Sequence, residues 1–119
     1  MTPDEIAARV LDAGAYDWVS LGAFPTMLGQ ATSEPTPPAL IEEGIATIFA
    51  LLREGYVEVG DIRRGEGFVP WSVTPDEARD RIRTAWSALD HAPYPGDVCW
   101  LANTSLGDAR ARELRSRPD

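Results

Sequence analysis

A single cysteine, Cys99, and a single histidine, His91, are all this chain has of the residue types that build disulfides and transition-metal sites. One cysteine excludes an internal disulfide and a Cys-rich zinc centre, and it fits a reducing compartment. Any metal would have to rest on carboxylates, and neither HExxH nor CxxC spacing occurs. No intrinsic metal site and no cofactor are therefore expected. Long apolar runs are missing too: nothing approaches the roughly eighteen residues of a membrane span. The N-terminal MTPDEIAARV has no basic segment ahead of an apolar stretch, so no secretory signal is expected. These absences lead to the expectation of a soluble, cytoplasmic protein, and 119 residues suit one domain with one core.

Positive charge is the next scarcity. The formal net charge is −8. Residues 1 to 52 hold seven acids and one base, Arg9, whereas the rest hold twelve acids and ten arginines. Non-specific affinity for nucleic acid comes from neutralising phosphates with Lys and Arg, and an anionic surface forfeits it. Opposite fields steer encounter, so a basic protein is the better-matched partner. The plainer reading is that net negative charge keeps a small protein soluble.

What is present is a clear succession of helix and strand signals. Thr2-Pro3-Asp4-Glu5 reads as a capping box with Pro in the first turn, and the same TPDE returns at Thr74 to Glu77. The residues that follow the two copies share only a helical pattern, so these are two helix starts and not a structural repeat. In the first helix Ile6, Val10 and Ala13 share a face and Gly14 is the stop. Trp18 to Leu28 is a second apolar segment, expected to be helical from about Ser20, with Pro25 tolerable only in an early turn. Residues 29 to 38, GQATSEPTPP, read as a loop.

Thr36 is placed to cap a third helix with Pro37 and Pro38 in its first turn. Leu40, Ile41, Ile45, Ile48, Phe49 and Leu52 cover well over half of its circumference, the mark of a central core helix. Gly55 ends it. Tyr56 to Ile62 alternates as a half-exposed strand, RRGEG at 63 to 67 is a turn, and residues 68 to 73 form the return strand. Pro70 cannot donate to a ladder, which makes that strand an edge. From Thr74 an amphipathic helix follows, with Ala78, Ile82, Ala85, Trp86 and Leu89 on one face. HAPYPG at 91 to 96 ends it, Asp97 to Ala102 is a short strand able to pair with the hairpin or with the N-terminal segment, and Asn103 to Gly107 is a turn. An arginine-rich helix from Asp108 is expected beyond it, with disorder in the last few residues.

The helix-to-hairpin junction LLREGYVEVGDI, Leu51 to Ile62, resembles the joint in winged-helix domains where the third helix ends at Gly and the first wing strand begins. The resemblance covers roughly residues 3 to 73. It implies an α+β fold: a winged-helix-like three-helix core with a β-hairpin wing, to which this chain adds an amphipathic helix and a short C-terminal strand. Winged helices often bind DNA and are also used as protein-interaction modules, and fold alone does not choose between them. The third helix departs from a DNA reader in charge and in exposure. Its polar positions, Glu42, Glu43 and Thr47, would meet phosphate with the wrong sign or with none.

Other candidate chemistry is thin. His91, Cys99 and Asn103 are the residue types of a thiol hydrolase, but Cys99 between Val98 and Trp100 reads as a small core residue. The glycines of GDIRRGEG lack a following GK[ST] and lie between strands, so a tight turn explains them. Four tryptophans stand out. Trp86 is core by periodicity, whereas Trp71 and Trp100 sit beside Pro70 and Asp97, where an aromatic serves either as core or as an interface anchor. The expected function is a non-enzymatic, acidic protein-binding module, most concretely an immunity or inhibitor protein against a basic toxin or enzyme. Glu58, Asp61, Glu66 and Asp97 would supply attraction, and Trp71 and Trp100 contact energy. A winged-helix transcription regulator is the alternative, and an enzyme using Cys99 the remainder.

Overall fold

The computed structural model describes residues 3 to 30 and 32 to 116. The expected cap at Thr2 and the expected disorder of the last few residues fall on positions outside that range. The fold is mixed α and β, with five helices and a four-stranded antiparallel sheet among the described residues. Helix α1, Pro3–Gly14, buries Ile6, Val10 and Leu11. The segment expected to be helical from Ser20 instead forms a two-residue strand, β1 (Val19–Ser20), then a 3-10 turn over Leu21–Ala23 and a single helical turn, α2 (Phe24–Met27). Pro25 lies in the first turn of α2, where its missing N–H costs nothing.

Helix α3, Pro38–Arg53, is the central helix, with Ile41, Ile45, Ile48 and Leu51 buried. Its cap differs from the expectation. Pro37 occupies the cap position with no side-chain bond, and Thr36 is buried, its Oγ1 accepting the indole N–H of Trp86 at 3.2 Å. A buried indole needs an acceptor, and that need outweighs a helix cap, whose N–H groups water can serve. Gly55 ends the helix at a φ of +76°, a conformation that glycine adopts without strain.

Strands β2 (Val57–Arg63) and β3 (Gly67–Pro70) form the hairpin, and α4 (Pro75–Ser87) follows from a complete capping box in which Thr74 Oγ1 accepts the Glu77 N–H and Glu77 Oε1 accepts the Thr74 N–H. Strand β4 is Trp100–Asn103, and α5, Ser105–Arg115, begins three residues earlier than expected from a turn ending at Gly107, with Thr104 as its cap. Thr104 also donates its hydroxyl to the Gly55 carbonyl at 2.6 Å, tying the start of α5 to the end of α3.

Sheet order is β1-β4-β2-β3. β4 therefore pairs with the hairpin and with the N-terminal segment at once: Leu101 faces Val19 on one side and Val59 on the other. Val57–Gly60 of β2 pairs with β4, while Gly60–Arg63 pairs with β3, which is an edge as Pro70 requires. Gly60 belongs to both ladders, and a Cβ there would run into the Val69 carbonyl. Only glycine allows that approach.

The helices lie on the sheet face that carries Val19, Val57, Val59 and Leu101, which join Ile6, Val10, Ile45, Ile48, Ile82 and Trp86 in one buried cluster. The most extensive helix pairing is α3 with α4, and α1 packs against α5 and α3. Trp86 is 1% exposed, edge-on to Phe24 with ring centroids 6.3 Å apart. No helix among the described residues is long and apolar enough to cross a membrane.

Candidate functional site

The six sequence-predicted contact residues divide into two groups. Period-2 alternation along β2 puts Asp61 on the side of Val57 and Val59, towards the helices. Trp71, just past β3, extends the ladder by donating its N–H to the Val59 carbonyl at 2.9 Å. Its indole N–H donates to Asp61 Oδ2 at 3.0 Å, and the Arg81 guanidinium of α4 lies 3.6 Å above its ring. Trp71 is thus half-buried and engaged on its ring face and at its N–H. Its first effect is to fasten the hairpin to α4, a role the sequence did not suggest.

Cys99 is close behind this cluster. Burial pushes its thiol up to about 12, the negative charge of Asp61 adds to the rise, and Arg81 opposes it. Such an environment favours the protonated thiol over the nucleophilic thiolate. The other two members of the conceivable thiol site are engaged elsewhere. The Asn103 amide donates to the Leu11 carbonyl at 2.9 Å and to Asp108 at 3.1 Å, and the His91 ring stacks on Tyr94 with centroids 4.5 Å apart.

The second group lies on the opposite sheet face or at its rim. Trp100 faces Ser20 on β1 and Gly60 on β2, and Glu58 faces Ala102. Extending the β1 register by one residue brings Trp18 beside Ala102, diagonal to Trp100 and within reach of an aromatic ring. Trp18 also stacks on Phe68 of β3, with centroids 6.3 Å apart and planes at 30°. Trp18 is 42% exposed, and Ile62 on the same face is 36% exposed. Asp97 caps the turn before β4, its Oδ2 accepting the Tyr94 N–H, and the Gly96 N–H in that turn donates to Ser20 Oγ. Glu66 sits exposed at the hairpin tip with Arg63 and Arg64.

A strained bend delivers the chain to Trp100. Val98 has a φ of +68°, and the Cys99 N–H bonds back to the Asp97 carbonyl at 2.8 Å, a γ-turn of the left-handed kind that a β-branched residue rarely adopts. Sequence reasoning placed Glu58, Glu66, Asp97 and Trp100 among the contact residues but missed Trp18, Phe68 and Ile62. The available signal was the alternation of Trp18 with buried Val19, which a helical reading of the segment concealed.

The charges divide similarly. Most arginines of α4 and α5 have partners within the chain: Arg83 pairs with Glu42 of α3 at 2.7 Å, Arg79 with Asp76 and Asp80, Arg110 with Glu113, and Arg115 with Asp12. Among the described residues Asp4, Glu34, Glu43, Glu54, Glu58 and Glu66 form no ion pair. Among the described residues, the charge not compensated by ion pairs is mainly negative.

No group of three or more His, Cys, Asp or Glu able to hold a metal occurs among the described residues. A cleft between α1, α3 and α5, lined by Ala7, Leu11, Leu51, Tyr56 and Leu114, encloses about 260 Å³. Comparison with protein-family models, with curated proteins and with solved structures finds no match for the chain.

Proposed function

We propose that this chain is a non-enzymatic, acidic protein-binding module of winged-helix-like build that works in the cytoplasm and occupies a basic surface. An immunity or inhibitor protein that neutralises a basic toxin or enzyme is the most concrete form of that role. One observation carries the reading: most arginines of α4 and α5 are held within the chain, while among the described residues Asp4, Glu34, Glu43, Glu54, Glu58 and Glu66 form no ion pair. Such a surface attracts cationic partners at long range and repels polyanions.

The packing of α3 supports the same choice over the winged-helix transcription regulator. In the winged-helix reading α3 would be the recognition helix and β2–β3 the wing. Here α4 packs along α3, and Arg83 of α4 holds Glu42 of α3 with two hydrogen bonds, 2.7 and 2.9 Å. A helix so covered has little face left for a major groove.

The test is co-expression with a basic toxin encoded beside this gene, together with association kinetics of the purified pair at low and high salt. Rescue of growth and a fall in the association rate of about tenfold or more with added salt are expected. Tight, salt-sensitive retention on random duplex DNA would reverse the choice in favour of the regulator.

A further inference from the structure

We infer that the open face of the sheet is the docking surface of this module and that its occupant is an arginine-rich segment of a protein, whose guanidinium groups lie flat on Trp18 and Trp100. This rests on the basic-partner reading above and adds where and by which groups the partner is held.

The aromatic chemistry comes first. Four of the arginines in this chain already lie over aromatic rings: Arg81 over Trp71 at 3.6 Å, Arg53 and Arg79 over Phe49 at 5.6 and 4.8 Å, and Arg115 over Tyr16 at 5.5 Å. Of the tryptophans, Trp86 is sealed in the core with its N–H on Thr36, and Trp71 has both an arginine and an acceptor. Trp18 and Trp100 have neither a cation nor a hydrogen-bond acceptor among the described residues. They lie diagonally on one face, and indole is the best aromatic platform for a guanidinium.

The charge chemistry is complementary. Asp17 adjoins Trp18, Glu58 faces Ala102 on the same side of the sheet as both indoles, and Asp97 stands in the turn before Trp100. Asp17 and Asp97 each use one carboxylate oxygen on a backbone N–H and retain the other. The strand positions sharing this face carry no basic residue before the hairpin tip. A guanidinium stacked on an indole keeps its N–H groups in the ring plane, where carboxylates at the edge accept them; an ammonium is a point charge and cannot do both as well.

The test uses an oligo-arginine peptide titrated into the intact protein at physiological salt, followed by NMR of the four indole N–H signals, with an oligo-lysine of equal length alongside. The expected result is saturable movement of the Trp18 and Trp100 signals with those of Trp71 and Trp86 unmoved, and weaker binding of oligo-lysine. Trp100→Ala should lower the affinity about tenfold, and the exposed Glu58→Gln, which leaves the core untouched, about threefold. Saturable binding with Trp18 and Trp100 unmoved would overturn this inference and leave the basic-partner reading in place. Failure of both peptides to bind saturably would overturn both readings.

Discussion

The two faces of the four-stranded sheet come from alternate residues of the same strands and have opposite fates. Val19, Leu101 and Val59 form a row that the helices bury, whereas Ser20, Trp100 and Gly60, the adjacent row, look the other way. On the helix side each indole has an acceptor, Thr36 for Trp86 and Asp61 for Trp71. On the open side the indoles of Trp18 and Trp100 have none among the described residues. The contrast separates two duties. One face holds the domain together, and the other is free to vary its chemistry without endangering the core.

The strongest way to break this comparison is to truncate one tryptophan on each face. Trp86→Ala should cost about 3–5 kcal/mol of unfolding free energy, because it removes the largest buried side chain and leaves Thr36 without its donor. Denaturant titration measures it. Next in size is Gly44→Ala. Within a helix this change ordinarily stabilises by about 0.5–1 kcal/mol. Here the new Cβ would stand 2.8 Å from Cη2 of Trp86, so a loss of about 1–3 kcal/mol is expected, again by denaturant titration. Trp18→Ala should cost only about 1 kcal/mol, from its stacking on Phe68. If its loss matched that of Trp86→Ala, the two faces would share the work of stability and the separation would be wrong.

The smallest effect sharpens the picture on the helix side. Hydrogen bonds from Arg83 hold the Glu42 carboxyl below its ordinary 4.5, and the Thr74 backbone N–H does the same for Glu77. A folded-state pKa below the unfolded one contributes stability that is present above the unfolded value and is lost as pH falls through the folded value. The melting midpoint should therefore decline from about 4.5 downwards, and Glu42→Gln should flatten part of that decline. Both carboxylates are exposed, so the change is slight and salt-sensitive.

Much of the α3–hairpin–α4 segment was legible because its signals are local. Apolar spacing marks α3, Gly55 stops it, and the Thr74–Glu77 capping box is encoded within four residues. The elements that were misread are set by distant partners. Thr36 has the chemistry of a cap, but its use depends on an indole fifty positions away. β1 is two residues long and exists only because β4 pairs with it. The bond between Asp61 and Trp71, and the stacking of Arg81 on that indole, likewise depend on the β2–β3 ladder and α4 being in place. In the candidate site, Glu58 and Trp100 were proposed from composition and strand alternation, while the place of Trp18 on the same sheet face was hidden once its segment was taken as helix.

The lone thiol provides a way to watch this molecule breathe. Cys99 is completely buried just ahead of β4, the strand that joins the hairpin to the N-terminal segment, and its protonated sulfur has no route to a reagent in solution while the fold is closed. A maleimide or disulfide reagent therefore modifies it only when β4 comes away from its neighbours. If closing is faster than modification, the observed rate measures the fraction of time the central strand is open. A ligand seated across Trp18 and Trp100 would bridge β1 and β4 and slow that rate without touching the sulfur. Thiol modification thus turns occupancy on one side of the sheet into a chemical signal from the other.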